Sequence, residues 1–300
     1  MTVFKGLSAF PPTPANEDGI VDTDGLGVLV DRLANAGVDS VSVLGSTGTY
    51  AYLDREQRNR AVSAAVEAAA GRVPVVTGVG ALRTSWSCEL AVAAQRGGAS
   101  GLLLAPMSYA QLSAREVEHH FKAVAAATDL PLCIYNNPGT TNFKFSHDLI
   151  VELAHVPSIA AVKMPPLDNQ GYTAEIEQLR ARMPDDFRIG YSGDWCAVPA
   201  FLAGADAWHS VVAGVLPEPA VRLTQAAMAG DAEETARLQA LCAPMWALFE
   251  KYGSLRTIYG IAEILGLNVG AAPLPVQGYV GVDQLAELPV AIDSMVSAAR

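Results

Sequence analysis

Eight short apolar runs, separated by helical stretches and recurring at intervals of roughly 30 residues, narrow the fold of this chain more than any other feature. The runs fall at 3–10, 38–44, 73–79, 101–104, 130–135, within 158–166, at 187–191 and at 207–212. Between them, Asp22 opens a helix to residue 36 with Leu26, Leu29 and Leu33 on one face, and Gly37 stops it. Asp54 caps a helix to residue 70, with Gln57 in capping-box position. Ser113 and Glu116 form a second box ahead of the face made by Val117, Phe121 and Val124. Further helices are expected at 84–96, 145–154, 172–183, 195–203 and 217–229. This alternation predicts a (β/α)₈ TIM barrel over residues 1–229. The competing doubly wound sheet would carry a GxGxxG turn after its first strand, and none follows Phe10. Beyond residue 229 the alternation stops. Asp231 and Glu234 open a helix striped by Leu238, Leu241, Met245 and Leu248 and bent at Pro244. Two more helices, at 254–265 and 283–298, complete a C-terminal helical extension over residues 230–300.

One strand carries chemistry. The stretch from Ser158 reads SIAAVKMPP, and its small and apolar start is that of a strand buried on both faces. Pro165 and Pro166 end it, since they have no N–H for the ladder. Lys163 therefore stands at the carboxyl end of a buried strand, where desolvation favours the free amine. A free amine there attacks carbonyls and forms a Schiff base. The alternative is a strand-end lysine that points into water, and the neighbouring strands decide between the two.

In such a barrel the working face is the carboxyl end of the strands. That end gathers Ser46, Thr47 and Thr49, then Ser108 and Tyr109, then Tyr135, Asn136 and Asn137, and last Ser192, Gly193, Asp194, His209 and Ser210. Tyr135 and Lys163 end adjacent strands, which lie about 5 Å apart. A phenol beside a nucleophilic amine can carry the protons of carbinolamine chemistry, with Thr47 as a relay. The turn at Gly45–Gly48 has backbone N–H groups able to hold a carboxylate. The alternative for Tyr135 is a core aromatic with one bonded hydroxyl.

Charge and composition exclude other classes. A net charge of −11 argues against nucleic acid and anionic membranes as partners. No stretch has the length of a membrane helix, and no basic start precedes an apolar run as in a signal peptide. Four scattered cysteines without a CxxC pair fit free thiols in a reducing cytoplasm. Of five histidines only His209 falls at a strand end, and His119 and His120 face different ways on a helix. No metal site is expected.

Taken together, GSTGT, YNNPGTT, the apolar strand ending at Lys163, SGD, and GADAWHS followed by Pro217 resemble the dihydrodipicolinate synthase / N-acetylneuraminate lyase family over nearly the whole chain. The resemblance implies a homotetrameric class I pyruvate-dependent lyase or synthase on a (β/α)₈ barrel. It implies a covalent Schiff base through Lys163 and no other cofactor. Tyr135 resembles the family's proton-shuttling tyrosine. Ser46 and Thr47 match the pair that holds the 2-oxo acid's carboxylate and relays protons. Tyr109 resembles a tyrosine that enters a neighbouring subunit's site, although APMSYAQ differs from the synthase loop. Gly193 and His209 fall where the family lines its pocket. Thr140 stands where the synthases have an arginine for the second substrate's carboxylate, and threonine cannot replace that bidentate charge. Thr49 and Met164 replace two glutamates of the pattern. The expectation is a class I aldolase acting on pyruvate or a related 2-oxo acid and an aldehyde, other than a true dihydrodipicolinate synthase. Two alternatives stay open: a Schiff-base dehydratase of a deoxy-oxo sugar acid, and a non-catalytic binding protein on the same barrel.

Overall fold

The computed structural model describes residues 3–167, 171–278 and 282–299. Eight strands run β1 (Gly6–Ala9), β2 (Ser40–Val43), β3 (Val75–Gly78), β4 (Gly101–Leu104), β5 (Leu132–Tyr135), β6 (Ile159–Met164), β7 (Arg188–Ser192) and β8 (Ala207–Ser210). All pair in parallel with their neighbours in sequence, and β8 returns to β1 to close the barrel. Helices α1 (Thr23–Ala36), α2 (Arg55–Ala69), α3 (Thr84–Arg96), α4 (Ala114–Ala125), α5 (Pro138–Thr141) and α6 (His147–Ala154) lie between β1 and β6. Then α7 (Tyr172–Arg180), α8 (Ala197–Leu202) and α9 (Pro217–Ala229) complete the ring. The (β/α)₈ barrel is as expected. Helices α10 (Ala232–Tyr252), α11 (Ser254–Ile264) and α12 (Val282–Ser297) follow as a C-terminal extension.

The helix ends follow from local chemistry. Asp22 accepts from the backbone N–H of Gly25, Asp54 from that of Gln57, and Asp231 from that of Glu234. The box between Ser113 and Glu116 is reciprocal. At Asp54 only half of the expected box forms. The Gln57 carbonyl oxygen instead accepts from the N–H of Val21, at 3.0 Å, tying α2 to the loop before α1. Gly37 takes the left-handed conformation, φ 83°, that ends α1. Most strands are shorter than their apolar runs, whereas β4 fills its run and β7 is shifted one residue along it.

Alternation along each strand divides the core in two. Val162 and Met164 of β6, Ile189 and Tyr191 of β7, and Trp208 of β8 face the helices and join the large core beneath them. Ala161 of β6, Cys133 and Tyr135 of β5, Val76 and Leu103 pack inside the barrel with Phe4 and Phe10. Lys163, Gly190 and His209 alternate with the outward set and so point inward. The extension closes on the barrel from outside. Trp246 of α10 meets Trp208 edge to face at 6.3 Å, and Leu238, Cys242, Met245 and Phe249 are buried with it.

Candidate active site

Lys163 is 3% exposed, and its strand position explains its neighbours. In the ladder it stands opposite Tyr135 of β5 on one side and Gly190 of β7 on the other. Its amine lies 4.0 Å from the centre of the Phe10 ring and 4.3 Å from that of Tyr135. Two aromatic faces thus hold the nitrogen where water does not reach it freely. The expected pairing of lysine and tyrosine is present.

The Tyr135 hydroxyl is fixed from both sides. It lies 3.1 Å from the Ser46 hydroxyl and accepts from the side-chain N–H of Asn137 at 2.9 Å. Burial alone would raise its pKa. The charge of Lys163 and the bonds to Ser46 and Asn137 outweigh burial, so the phenol sits below its ordinary value. A phenol tuned downward can both take and return a proton. Ser46 and the buried Thr47 sit on a tight turn in which Leu44 and Thr49 both adopt positive φ, 56° and 52°. Such strain in residues other than glycine gathers at sites the surrounding structure must hold rigid. Glycine is required at Gly45, where a Cβ would come within 2.7 Å of the Phe10 ring.

The opposite wall holds His209, Asp194 and Ser210. A Cβ at Gly190 would lie 2.6 Å from His209 Nε2, so the missing side chain is what admits the imidazole. His209 is buried, and Phe10 meets it edge to face at 5.8 Å. Burial, and after it the charge of Lys163, holds its pKa well below the ordinary value, so the ring stays neutral. Among the described residues its Nδ1 has no hydrogen-bond partner. Gly193, at φ 91°, turns the chain ahead of Asp194, which is buried beside the end of β8. The Ser210 hydroxyl donates to Asp194 at 2.6 Å. Burial pushes the Asp194 carboxyl up to about 6 despite that bond.

Two expected residues stand apart from this cluster. Tyr109, in the loop after β4, is 99% exposed and does not enter its own chain's site. Thr140 lies on α5 at the rim, exposed, with its hydroxyl 3.4 Å from the Asn137 carbonyl. Two residues not singled out from the sequence belong to the site. Arg58 of α2 is buried and donates to the carbonyls of Gly80 and Gly78, at 3.0 and 2.9 Å, at and just beyond the end of β3. Its guanidinium lies 5.2 Å from the centre of the Tyr50 ring. Burial, with Tyr135 nearby, pushes the Tyr50 phenol up to about 12. The signal for Arg58 was its place in the buried stripe of α2 with Ala61, Val62 and Ala65.

A cavity of about 230 Å³ opens beside Ser46, with Tyr50, Thr140 and Leu255 among its walls. Larger grooves, of about 710 and 640 Å³, lie on the outer surface of α2 and carry none of these residues. Among the described residues, His, Cys, Asp and Glu side chains nowhere gather in threes suited to a metal ion. No helix among them is long and apolar enough to cross a membrane.

The sequence matches the model of the dihydrodipicolinate synthetase family over residues 3–291. It is 35% identical to a 4-hydroxy-tetrahydrodipicolinate synthase of Nitrosospira multiformis over 228 residues, 76% of this chain and 75% of the relative. It is 30% identical to that of a Thermoanaerobacter species over 277 residues, 92% and 91% of the two chains. The crystal structure of a dihydrodipicolinate synthase from Agrobacterium tumefaciens superposes with a TM-score of 0.96 at 51% identity, covering 98% of this chain and 99% of that one. A chloride-inhibited dihydrodipicolinate synthase from Acinetobacter baumannii, solved with pyruvate, gives 0.88 at 27% identity over 98% and 99%. With the barrel, the extension and the sequence in agreement over nearly all of its length, the chain belongs to the dihydrodipicolinate synthetase family and is an enzyme of that lyase and aldolase group.

Proposed function

We propose that the enzyme is a class I aldolase that captures pyruvate or a related 2-oxo acid on Lys163. The supporting observation is the buried Lys163 amine opposite the Tyr135 phenol. The amine attacks the C2 carbonyl, and Tyr135 takes the proton leaving nitrogen. The same phenol returns it to the departing hydroxyl, which leaves as water. Ser46 and Thr47 hold the carboxylate, and the Ser46 hydroxyl extends the proton path. The C3 proton of the protonated imine then passes to the Tyr135 phenolate, giving an enamine, and the protonated nitrogen is the electron sink. The enamine then attacks an aldehyde, or is what remains after the reverse cleavage. Gly193 and His209 line the floor of the site, and Thr140 borders the entry of the second substrate. Thr140 brings no cation to that rim, which supports a second substrate other than aspartate semialdehyde. In this reading the active form is a homotetramer in which Tyr109, a large aromatic left in solvent, reaches a neighbouring copy's site.

The test is covalent trapping. Incubation with pyruvate and borohydride, followed by peptide mass spectrometry, is expected to leave one reduced adduct, on Lys163. A wild-type peptide left unmodified under conditions that label another family member overturns the reading.

A further inference from the structure

The cavity beside Ser46 is lined by six hydroxyl side chains: Ser46, Thr49, Tyr50, Tyr52, Thr140 and Thr141. Among the described residues no Lys, Arg, His, Asp or Glu borders it, and its remaining walls are apolar. Its volume of about 230 Å³ is below the roughly 300–1,000 Å³ of pockets for drug-sized ligands, so its guest is small. A carboxylate placed here would lose water and meet no countercharge, an arrangement strongly disfavoured. Ser46, Thr140 and Thr141 already bond within the chain, and a purely apolar guest would offer nothing to the other hydroxyls of the lining, which is also unfavourable.

Tyr50 is held in this lining by a cation. Arg58 lies over its ring, and the guanidinium donates to two backbone carbonyls rather than into the cavity. The cation therefore braces the phenol without charging the pocket. The phenol stays protonated at working pH, and so remains a donor.

We propose that the electrophile admitted to this cavity is a small uncharged aldehyde bearing hydroxyl groups on the carbons next to its carbonyl, with Tyr50 as the specificity residue that hydrogen-bonds them. This rests on the Schiff-base reading above. C3 of the enamine bonds to the aldehyde carbon, and the aldehyde oxygen takes a proton from Tyr135. Water then hydrolyses the imine, freeing the Lys163 amine and a 4-hydroxy-2-oxo acid.

The test compares three aldehydes with pyruvate: glyceraldehyde, which is neutral and hydroxylated; butanal, neutral without hydroxyls; and succinic semialdehyde, which is anionic. Glyceraldehyde is expected to give a kcat/KM at least tenfold above the other two. Tyr50→Phe is expected to lower that value about tenfold through KM and so to narrow the preference for glyceraldehyde over butanal. Thr140→Arg, at an exposed position, is expected to shift preference at least tenfold toward succinic semialdehyde. If trapping occurs but butanal or succinic semialdehyde is preferred, or no aldehyde is used, this inference alone is wrong. If Tyr50→Phe slows all three alike, Tyr50 does not set specificity. If pyruvate is not trapped at all, the Schiff-base reading falls and this inference with it.

Discussion

Lys163 and Tyr135 show how much one strand position decides. Lys163 is inward because Val162 and Met164 on either side face the helices. Tyr135 meets it because β5 and β6 pair in that register. Under the proposed mechanism, Tyr135→Phe should remove the proton carrier while keeping the ring beneath the amine. We expect kcat to fall by about 10²- to 10⁴-fold, the usual range for general acid–base catalysis, with the melting temperature nearly unchanged; steady-state assay and thermal melts check both. Asp194 makes a prediction about pH. Its folded pKa, about 6, lies above the unfolded value of 3.8, so the folded state binds more protons between them. Its contribution to stability is fully present below the unfolded value and is lost as pH rises through the folded one. Relative to Asp194→Asn, the wild type should lose no more than about 3 kcal/mol between pH 4 and pH 7, at roughly 1.4 kcal/mol for each pH unit that separates the two values. Urea titrations of both proteins at several pH values measure it, and a wild type that gains stability over its variant as pH rises would contradict the assignment.

The elements carry a different kind of constraint. At the Gly190 position of β7, an added methyl would meet His209 Nε2 at 2.6 Å and the backbone carbonyl of Ala207 at 2.9 Å. The imidazole can tilt, but the carbonyl belongs to the ladder. Gly190→Ala should therefore destabilise by about 1–3 kcal/mol, read from the urea midpoint, and should disturb the lysine across the strand pair. The sequence made this strand's neighbours legible. SIAAVKMPP could only be a short buried strand with a lysine at its end, and the repeat length told which strands flank it. It did not reveal that glycine at residue 190 makes room for residue 209, since that needs the register of β7 against β8. Tyr50 and Arg58 were hidden for a related reason. One opens a short 3-10 turn and the other stands on α2, and they meet only because α2 packs with Arg58 facing the end of β3. Gln57 was read as half of a capping box, yet a tertiary partner, the N–H of Val21, takes its side chain.

For the whole molecule, the extension and the barrel share one core. Trp246 of α10 packs on Trp208, whose strand neighbour His209 faces the site from the other side. Trp246→Ala should cost about 3–5 kcal/mol, the usual range for removing a buried aromatic. Because the packed pair spans both parts, unfolding monitored by tryptophan fluorescence and by loss of activity should shift together. Separate midpoints would mean that the helices melt independently of the barrel.

The ring of Phe10 ties distant parts of the molecule together in another way. It follows directly on β1, the first strand to be made, yet it touches the amine of β6, the imidazole of β8 and the glycine turn after β2. Parts of the chain about 200 residues apart in sequence thus converge on one benzene face. The Lys163 amine therefore acquires its final surroundings only once the first and last strands have met, and under the proposed mechanism catalytic competence becomes a readout of closure itself.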